Sequence, residues 1–255
     1  MTADARARIR RTEEELLGRL GLDRGANPLA IETARDAIIG FLSTAPRGHG
    51  IYTIGGGNRT ADPAAGFAQV AITAEHYGRI ARLLAKGMPV TLEADIKNTY
   101  TQNPPMFNVV AEIKGTDKAD EVVILGAHFD SWHASTGATD NATGSAEMME
   151  ALRIIQASGL KPRRTIRIGL WGAEEGGLLG SRAYVTEHLG TKDAPKPEHG
   201  KLSVYFNLDN GTGRILGIWG QGNTGAMKSF EQWGQSLKDL GWKNVSPRSV
   251  TQTDH

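Results

Sequence analysis

The stretch "GAHFDSWHASTGATDN" (residues 126–141) follows the apolar run "VVIL" (residues 122–125) and places a histidine and two aspartates among small residues. An apolar run of this length, with β-branched residues, predicts a buried strand. Imidazole and carboxylate groups are costly to bury unless a partner compensates them, and a metal ion is one such partner. The stretch therefore predicts a strand that ends in a chemically active site.

Two further apolar runs end in the same way. "TIRIGLW" (residues 165–171) leads to Glu174 and Glu175, and "LSVYFNL" (residues 202–208) leads to Asp209. Strands that alternate with helix-like segments predict an α/β fold with a mainly parallel sheet flanked by helices. Because ligands bind at the carboxyl ends of parallel strands, we expect these acidic residues and His128 at one edge of the sheet.

Helix and strand patterns outside these runs differ in strength. The segment "ITAEHYGRIARLLAKG" (residues 72–87) predicts a helix with Thr73 as its N-cap and Gly87 just past its end. Residues 144–162, 181–189 and 225–242 also predict helices. Weaker patterns predict helices over 13–20 and 31–42, a glycine-rich turn over 53–66, and half-exposed strands over 89–96 and 106–113.

Composition excludes several functions for the 255 residues. The 29 lysines and arginines nearly balance the 28 acidic residues, which gives a net charge of +1 and argues against nucleic acid as a partner. No apolar run reaches membrane-spanning length, so no membrane association is predicted. The absence of cysteine excludes thiolate metal sites, disulfides and cysteine nucleophiles.

Each candidate site residue also has an ordinary structural explanation. Taken singly, His128 could be an ordinary core histidine, and Asp140 could cap the helix that follows it. The glutamates at 174–175 could belong to a solvated turn, and Asp209 could be an ordinary loop residue. Together they form a cluster of anions that needs a cation. Imidazole and carboxylate ligands without thiolate suit zinc, and manganese and cobalt are alternatives.

The carboxylates outnumber the ligands that one zinc requires, which indicates two ions with Asp140 as the bridge. If the chain is extended at Glu174 and Glu175, the two side chains point in different directions, so one can bind metal while the other acts as general base. Asp130 is placed to accept the second ring N–H of His128 and to fix its tautomer.

Competing chemistries find weaker support. "TGSAE" (residues 143–147) contains a serine but lacks the G-x-S-x-G elbow of a serine hydrolase. "GGGNRT" (residues 55–60) lacks the lysine of a phosphate-binding loop. Trp132, His133 and Trp171 lie near the site in sequence and suit either pocket lining or packing.

Three motifs resemble the co-catalytic di-zinc aminopeptidases, in particular the plasma glutamate carboxypeptidase (carboxypeptidase Q) branch. They are "GAHFDSWHASTGATDNATG", "LWGAEEGGLLGS" and "NLDNGTG", in the order and spacing of that family. The resemblance covers residues 107–255. It implies the zinc exopeptidase fold, with two Zn²⁺ ions, and an aminopeptidase or dipeptidase that hydrolyses peptide bonds near free termini through a metal-bridging water.

The resemblance also implies a role for six residues. They are His128 and Asp209 as ligands of one zinc, Glu175 as ligand of the other, Asp140 as the bridge, Glu174 as the general base, and Asp130 as the partner of His128. Two alternatives stay open: a single-zinc acyltransferase similar to glutaminyl cyclase, and a catalytically inert binding protein of the same fold.

The rest of the chain resembles the family less closely. Residues 1–100 are similar to part of a protease-associated accessory domain, and residues 101–255 to the catalytic domain. Relatives carry a secretion signal upstream and a last histidine ligand beyond the "TDH" segment, so we expect a chain truncated at both ends, with His255 outside the ligand set and little activity of its own. The resemblance further implies a peptide or dipeptide substrate and an extracellular or periplasmic location, and it is compatible with a homodimer.

Overall fold

The structure, a computed structural model, describes residues 29–32, 38–44, 68–92, 101, 104–132, 135–209 and 213–255. The chain divides into two compact units, Met1–Asn103 and Pro104–His255. That the first unit belongs to a protease-associated domain stays a prediction. No helix among the described residues is long and apolar enough to cross a membrane.

In the first unit, three strands form a sheet in the order β1-β2-β3. Strand β1 (Leu29–Glu32) is antiparallel to β2 (Ile38–Thr44), and β2 is parallel to β3 (Ala68–Ile72). The helix predicted over residues 31–42 is therefore wrong. The apolar run at 38–42 contains β-branched residues and a glycine, which favour a strand over a helix, and periodicity alone does not separate the two for so short a run.

Helix α1 (Ala74–Ala85) confirms the helix predicted from residue 72. Thr73 is its N-cap, and the Thr73 hydroxyl accepts a hydrogen bond of 3.4 Å from the backbone N–H of His76. Gly87 follows with φ +75°, a left-handed conformation that favours glycine at a helix end. Residues 89–92 lie in no strand, contrary to the prediction. Residues 13–20, 53–66 and 93–96 lie outside the described residues.

The second unit is built on a four-stranded sheet in the order β4-β6-β5-β7. Strands β5 (Lys118–His128), β6 (Arg164–Trp171) and β7 (Leu202–Asn207) are parallel to one another, and β4 (Val109–Ile113) is antiparallel to β6. The predicted mainly parallel sheet is confirmed. The strand predicted over 106–113 forms only over β4, and four of its five residues are exposed.

Helices follow the strands as the sequence predicts. They are α2 (Thr143–Ala157), α3 (Leu179–Tyr184) with a wide helical turn after it (Val185–Leu189), and α4 (Met227–Gly234) between two 3₁₀ turns (Thr224–Ala226 and Gln235–Leu240). A parallel pair of short strands, β8 (Gly217–Trp219) and β9 (Asn244–Ser246), was not predicted, because three residues carry no measurable periodicity.

Two hydrophobic clusters cover the two faces of this sheet. Successive strand residues point to opposite faces, so Ile124 and Ala127 of β5 belong to different clusters. The first cluster contains Ile124, Trp171 and Tyr184; the second contains Ala127, Ile168 and Leu170, with Met148 and Leu152 of α2 packed against it. The sheet is thereby held between helices, and the carboxyl ends of β5, β6 and β7 lie side by side.

Candidate metal centre

Strand β5 ends at His128, which is 1% exposed. His128 pairs with Trp171 in the neighbouring strand. Its backbone carbonyl accepts a hydrogen bond of 2.8 Å from the hydroxyl of Ser145 in α2. Ser145 therefore fixes the end of the strand, which is a structural task and accounts for the serine of "TGSAE".

The His128 ring lies among acidic groups. Its Nε2 atom is 3.0 Å from Asp140 Oδ1 and 3.4 Å from Asp209 Oδ1. Glu174 Oε2 is farther from the same nitrogen, at 3.9 Å. The other ring nitrogen, Nδ1, is 3.1 Å from the backbone carbonyl of Asp130 and 3.5 Å from its carboxylate. Thus the nearest partner of Nδ1 is the main-chain oxygen of Asp130, and the Asp130 carboxylate is 0.4 Å farther away.

His128, Asp140 and Asp209 offer one nitrogen and two oxygen atoms that all lie within 4.8 Å of one another. Ligand atoms about 2.0–2.2 Å from a zinc ion lie up to about 4 Å apart, so only a small contraction is needed to enclose one ion. A buried imidazole with two carboxylates is also a donor set that suits zinc. The three residues therefore fit a divalent metal ion.

The electrostatics of the site favour a cation. Burial acts to lower the pKa of His128, but the carboxylates of Asp130, Asp209 and Glu174 outweigh burial and raise this pKa to about 11. The protonated ring thus serves as a counter-charge for the surrounding acids. A metal ion can replace that positive charge, because neutral imidazole is the form of histidine that binds metal.

Asp140 lies in a wide turn (Ala138–Ala142) between β5 and α2. The turn starts from Gly137, whose φ of +63° favours glycine, and the Asp140–Asn141 peptide bond is cis. The N-cap of α2 is Ala142, without a side-chain hydrogen bond, so Asp140 is not a helix cap. Its carboxylate faces His128 instead.

Asn141 is a structural residue of the site that the sequence reasoning missed. It is 2% exposed, its amide donates a hydrogen bond of 2.9 Å to the Leu208 carbonyl, and its Oδ1 accepts one of 3.2 Å from the Gly144 N–H. A Cβ atom at Gly144 would approach Asn141 Oδ1 to 2.2 Å, so only glycine fits there. Asn141 thereby joins the turn that carries Asp140 to the loop that carries Asp209.

Glu174 and Glu175 lie in a tight turn after β6. Ala173 has φ +55°, and the Glu174 carbonyl accepts hydrogen bonds of 2.8 Å from both Gly177 and Leu178. The chain is therefore not extended here, contrary to the premise from which we expected the two side chains to diverge. The fold of the turn, rather than strand alternation, sets their directions.

The Asp130 carboxylate holds this turn. It accepts hydrogen bonds of 3.0 Å from the Glu174 N–H and 3.2 Å from the Glu175 N–H. Burial acts to raise the pKa of Asp130, but these bonds and the interaction with His128 lower it overall. Asp130 stays an anion that links the end of β5 to the turn after β6.

The two glutamates have perturbed carboxyl groups. Burial, together with the negative charges of Asp209 and Asp254, raises the pKa of Glu174 to about 7 against the opposing effect of His128. Burial also raises the pKa of Glu175, and among the charges around it that of Asp140 contributes most. Glu175 lies outside the compact group of His128, Asp140 and Asp209 among the residues that the structure describes.

The remaining candidates have other positions. Trp171 is buried and packs on Tyr184, with ring centroids 5.0 Å apart, so its role is packing. Trp132 is half-buried, and His133 lies outside the described residues. His255 is exposed and lies outside the compact metal-binding group of the described residues. That it is no ligand stays a prediction. Its neighbour Asp254 is buried, although no pattern in the sequence predicts this burial.

Residues 108–254 match the profile described as Peptidase family M28. The match covers more than half of the chain and includes every residue of the site described above. The chain therefore belongs to peptidase family M28, as the three motifs predicted.

Comparison with individual proteins supports the same family. Carboxypeptidase Q of Mus musculus is 30% identical over 174 residues, which are 68% of this chain and 36% of that protein. Leupeptin-inactivating enzyme 1 of Streptomyces exfoliatus is 36% identical over 129 residues, 50% of this chain and 27% of that protein. The chain thus spans about a third of the length of these curated relatives.

A solved structure supports the fold. The crystal structure of a peptidase M28 precursor from Shewanella amazonensis matches with a TM-score of 0.59 and 30% sequence identity. The match covers 74% of this chain and 41% of that one.

Proposed function

We propose that the protein is a zinc-dependent exopeptidase, an aminopeptidase or dipeptidase that hydrolyses peptide bonds near free termini. One observation carries the proposal: a buried His128 meets Asp140 and Asp209 within metal-binding distance, and a glutamate with a pKa of about 7 lies beside them. Membership of the peptidase family makes peptides the substrate class.

In this proposal His128, Asp140 and Asp209 hold one zinc ion. Asp140 and Glu175 would hold a second ion, so Asp140 would contribute to both metal sites. Two observations support this second site: after burial, the Asp140 charge contributes most to the raised pKa of Glu175, and nearly half of the Asp140 side chain is exposed. Zinc bound here would polarise the scissile carbonyl and lower the pKa of a water molecule toward about 7.

Glu174 acts as the general base. It accepts a proton from the attacking water and passes it to the leaving amine, as a group with a pKa near the working pH does best. Its Oε2 atom lies 3.9 Å from His128 Nε2, on the side of the ring that faces the ligands. Asp130 keeps Glu174 and Glu175 in place through their backbone N–H groups.

The names of the relatives fit a peptide substrate. They include a carboxypeptidase and an enzyme that inactivates leupeptin. An extracellular or periplasmic location and a homodimer stay predictions.

The test is Glu174→Gln in a chain extended to the length of the family relatives, assayed on aminoacyl chromogenic substrates and dipeptides with zinc content measured in parallel. Glutamine keeps the shape of the side chain but cannot carry the proton. We expect unchanged zinc content and a loss of activity of about 10²–10⁴-fold. The matched control is Glu231→Gln, at an exposed position of α4, which should change neither quantity.

Two results would contradict the proposal. Activity of Glu174→Gln within about tenfold of the unmodified protein would remove Glu174 from the role of base, since a general base contributes at least about 10². A protein that binds no divalent metal would remove the metal centre itself.

A further inference from the structure

A second buried carboxylate lies beside the proposed metal centre and takes no part in the ligand set. Asp254 is 5% exposed. Its Oδ1 atom accepts a hydrogen bond of 2.5 Å from the Ser181 hydroxyl, whereas its Oδ2 atom is buried without a hydrogen-bond donor among the residues that the structure describes. A buried carboxylate oxygen without a donor is costly, so its presence needs a physical explanation.

Asp254 is held between two elements that carry site residues. Ser181 belongs to α3, which follows the turn with Glu174 and Glu175. On the other side, the neighbouring Thr253 is buried, and its hydroxyl accepts a hydrogen bond of 2.5 Å from the Asn207 amide. Asn207 ends β7, two residues before Asp209.

The hydrogen bond between Thr253 and Asn207 is the first of a series that leads into the hydrophobic core. The Tyr205 hydroxyl donates a hydrogen bond of 2.8 Å to Asn207 Oδ1, and the Trp171 indole N–H donates one of 2.8 Å to the Tyr205 hydroxyl. Trp171 is itself 3% exposed and packed in the sheet. A chain of hydrogen bonds from the core therefore fixes Thr253, and with it the position of the Asp254 carboxylate.

The charge of Asp254 reaches the metal centre. Burial raises the pKa of Asp254 against the opposing effects of the Ser181 hydrogen bond and of His128, and the charge of Asp254 in turn raises the pKa of Glu174. No described lysine or arginine forms an ion pair with Asp254. A negative charge that is buried and fixed in this way destabilises the protein unless a nearby cation compensates it.

We propose that Asp254 is a positioning residue of the metal centre, and that its buried negative charge is compensated by the bound cation. The inference rests on the proposed function, because it takes His128, Asp140 and Asp209 to hold a metal ion. It predicts effects of opposite sign: the Asp254 carboxylate strengthens metal binding and destabilises the metal-free protein. A residue needed only for packing or hydrogen bonding would stabilise both forms.

The test is Asp254→Asn in the 255-residue chain, stripped of metal and titrated with Zn²⁺ by calorimetry. Asparagine keeps the shape and can still accept the Ser181 hydrogen bond. We expect zinc affinity to fall by about 10-fold or more, the range seen when a partner just outside the ligand set is removed. We expect the metal-free Tm to stay level or rise, because a buried charge is gone.

A second variant separates charge from hydrogen bonding. Ser181→Ala removes the donor and keeps the charge, so it should lower the metal-free Tm and reduce zinc affinity less than Asp254→Asn does. If Asp254→Asn does not fold, Ser181→Ala alone decides: a loss of zinc affinity of about 10-fold or more in that variant would overturn the role of charge. Asp193→Asn, at an exposed position, is the matched control and should change neither quantity.

The results separate this inference from the proposed function. If the unmodified chain binds no Zn²⁺, the proposed metal centre is wrong. If the unmodified chain binds Zn²⁺ and Asp254→Asn binds it equally well, only the role of Asp254 is wrong. The same holds if Asp254→Asn lowers the metal-free Tm together with the affinity, since that is the behaviour of a purely structural residue.

Discussion

Both ends of the β5–β6 strand pair carry acidic side chains, but the acids at the two ends differ in their basic partners. Toward the amino ends two acids have permanently charged basic partners: Arg163 pairs with Asp117 at 2.6 Å, and Arg164 pairs with Glu121 at 2.6 Å. Lys118 adds a second contact to Glu121, at 2.9 Å. All of these side chains are at least one-third exposed, so water solvates whatever charge is not paired.

At the carboxyl ends the acids are clustered, and two of them have buried side chains, whereas the Asp140 side chain is 45% exposed. The side chains of Asp209 and Glu174 are 3% and 10% exposed. Among the residues that the structure describes, no lysine or arginine forms an ion pair with Asp140, Glu174 or Asp254, and His128 is the only basic group at the centre of the cluster. Burial without a matching cation is unfavourable, so the difference between the two ends identifies where the protein is built to receive a positive ion from outside.

The largest effect that tests this difference comes from Asp140. Asp140→Ala removes the carboxylate nearest to His128 Nε2 and the proposed bridge, so in a chain extended to the length of the family relatives we expect tight binding of both zinc ions to be lost. The loss should exceed the roughly 100-fold limit for removing a partner outside the ligand set. Elemental analysis after dialysis and calorimetry with Zn²⁺ measure it.

The matched control lies at the amino end. Asp117→Ala also removes one aspartate, but that aspartate already has Arg163 as its cation, so zinc content should not change. Two zinc ions retained in Asp140→Ala would contradict the bridging role. Zinc lost from Asp117→Ala would contradict the distinction between the two ends.

The sequence predicts the acidic end of the sheet well because the signal is local. Each of the three strands is an apolar run followed within a few residues by acidic or imidazole side chains, and parallel strands bring their carboxyl ends together. His128, Asp140 and Asp209 could therefore be predicted to meet without knowledge of the packing. Glu174 could be predicted to lie with them for the same reason.

The contacts that support the site could not be predicted in this way. Asn141 binds a carbonyl 67 residues away, and Ser181 binds an aspartate 73 residues away. Neither pair shares a local pattern, and Asp254 reads from the sequence as an ordinary polar residue of an exposed segment. The direction of the Glu174–Glu175 turn also depends on the φ of Ala173, for which an alanine gives no sequence signal.

A smaller effect is expected from Asp130, which belongs to the acidic end but has its hydrogen bonds satisfied. Asp130→Ala leaves the backbone N–H groups of Glu174 and Glu175 without their acceptor. We expect a loss of roughly 10–100-fold in zinc affinity or activity, less than for Asp140→Ala. The measurement is the same Zn²⁺ titration, with hydrolysis rates alongside. An effect equal to that of Asp140→Ala would show that Asp130 belongs to the ligand set.

The smallest effect is expected at the amino end, where Arg163 acts on Asp117. The guanidinium hydrogen bonds to this carboxylate lower the pKa of Asp117 to about 2. A lowered pKa means that the pair stabilises the folded protein above the ordinary aspartate pKa and loses this contribution as the pH falls toward about 2. Because both side chains are more than half exposed, solvent screening keeps the contribution to stability small.

Arg163→Ala isolates this pair. In the unmodified protein, NMR titration of the Asp117 carboxyl carbon from neutral pH downward should show no midpoint near 3.9, the value of an unperturbed aspartate. In Arg163→Ala the midpoint should appear near that value, and high salt should move the unmodified protein in the same direction, since salt screens exposed charges. Zinc affinity should stay unchanged throughout. A titration midpoint of Asp117 near 3.9 in the unmodified protein would mean that its ion pair with Arg163 does not persist in solution. Burial would then be the one feature that separates the two ends of the strand pair.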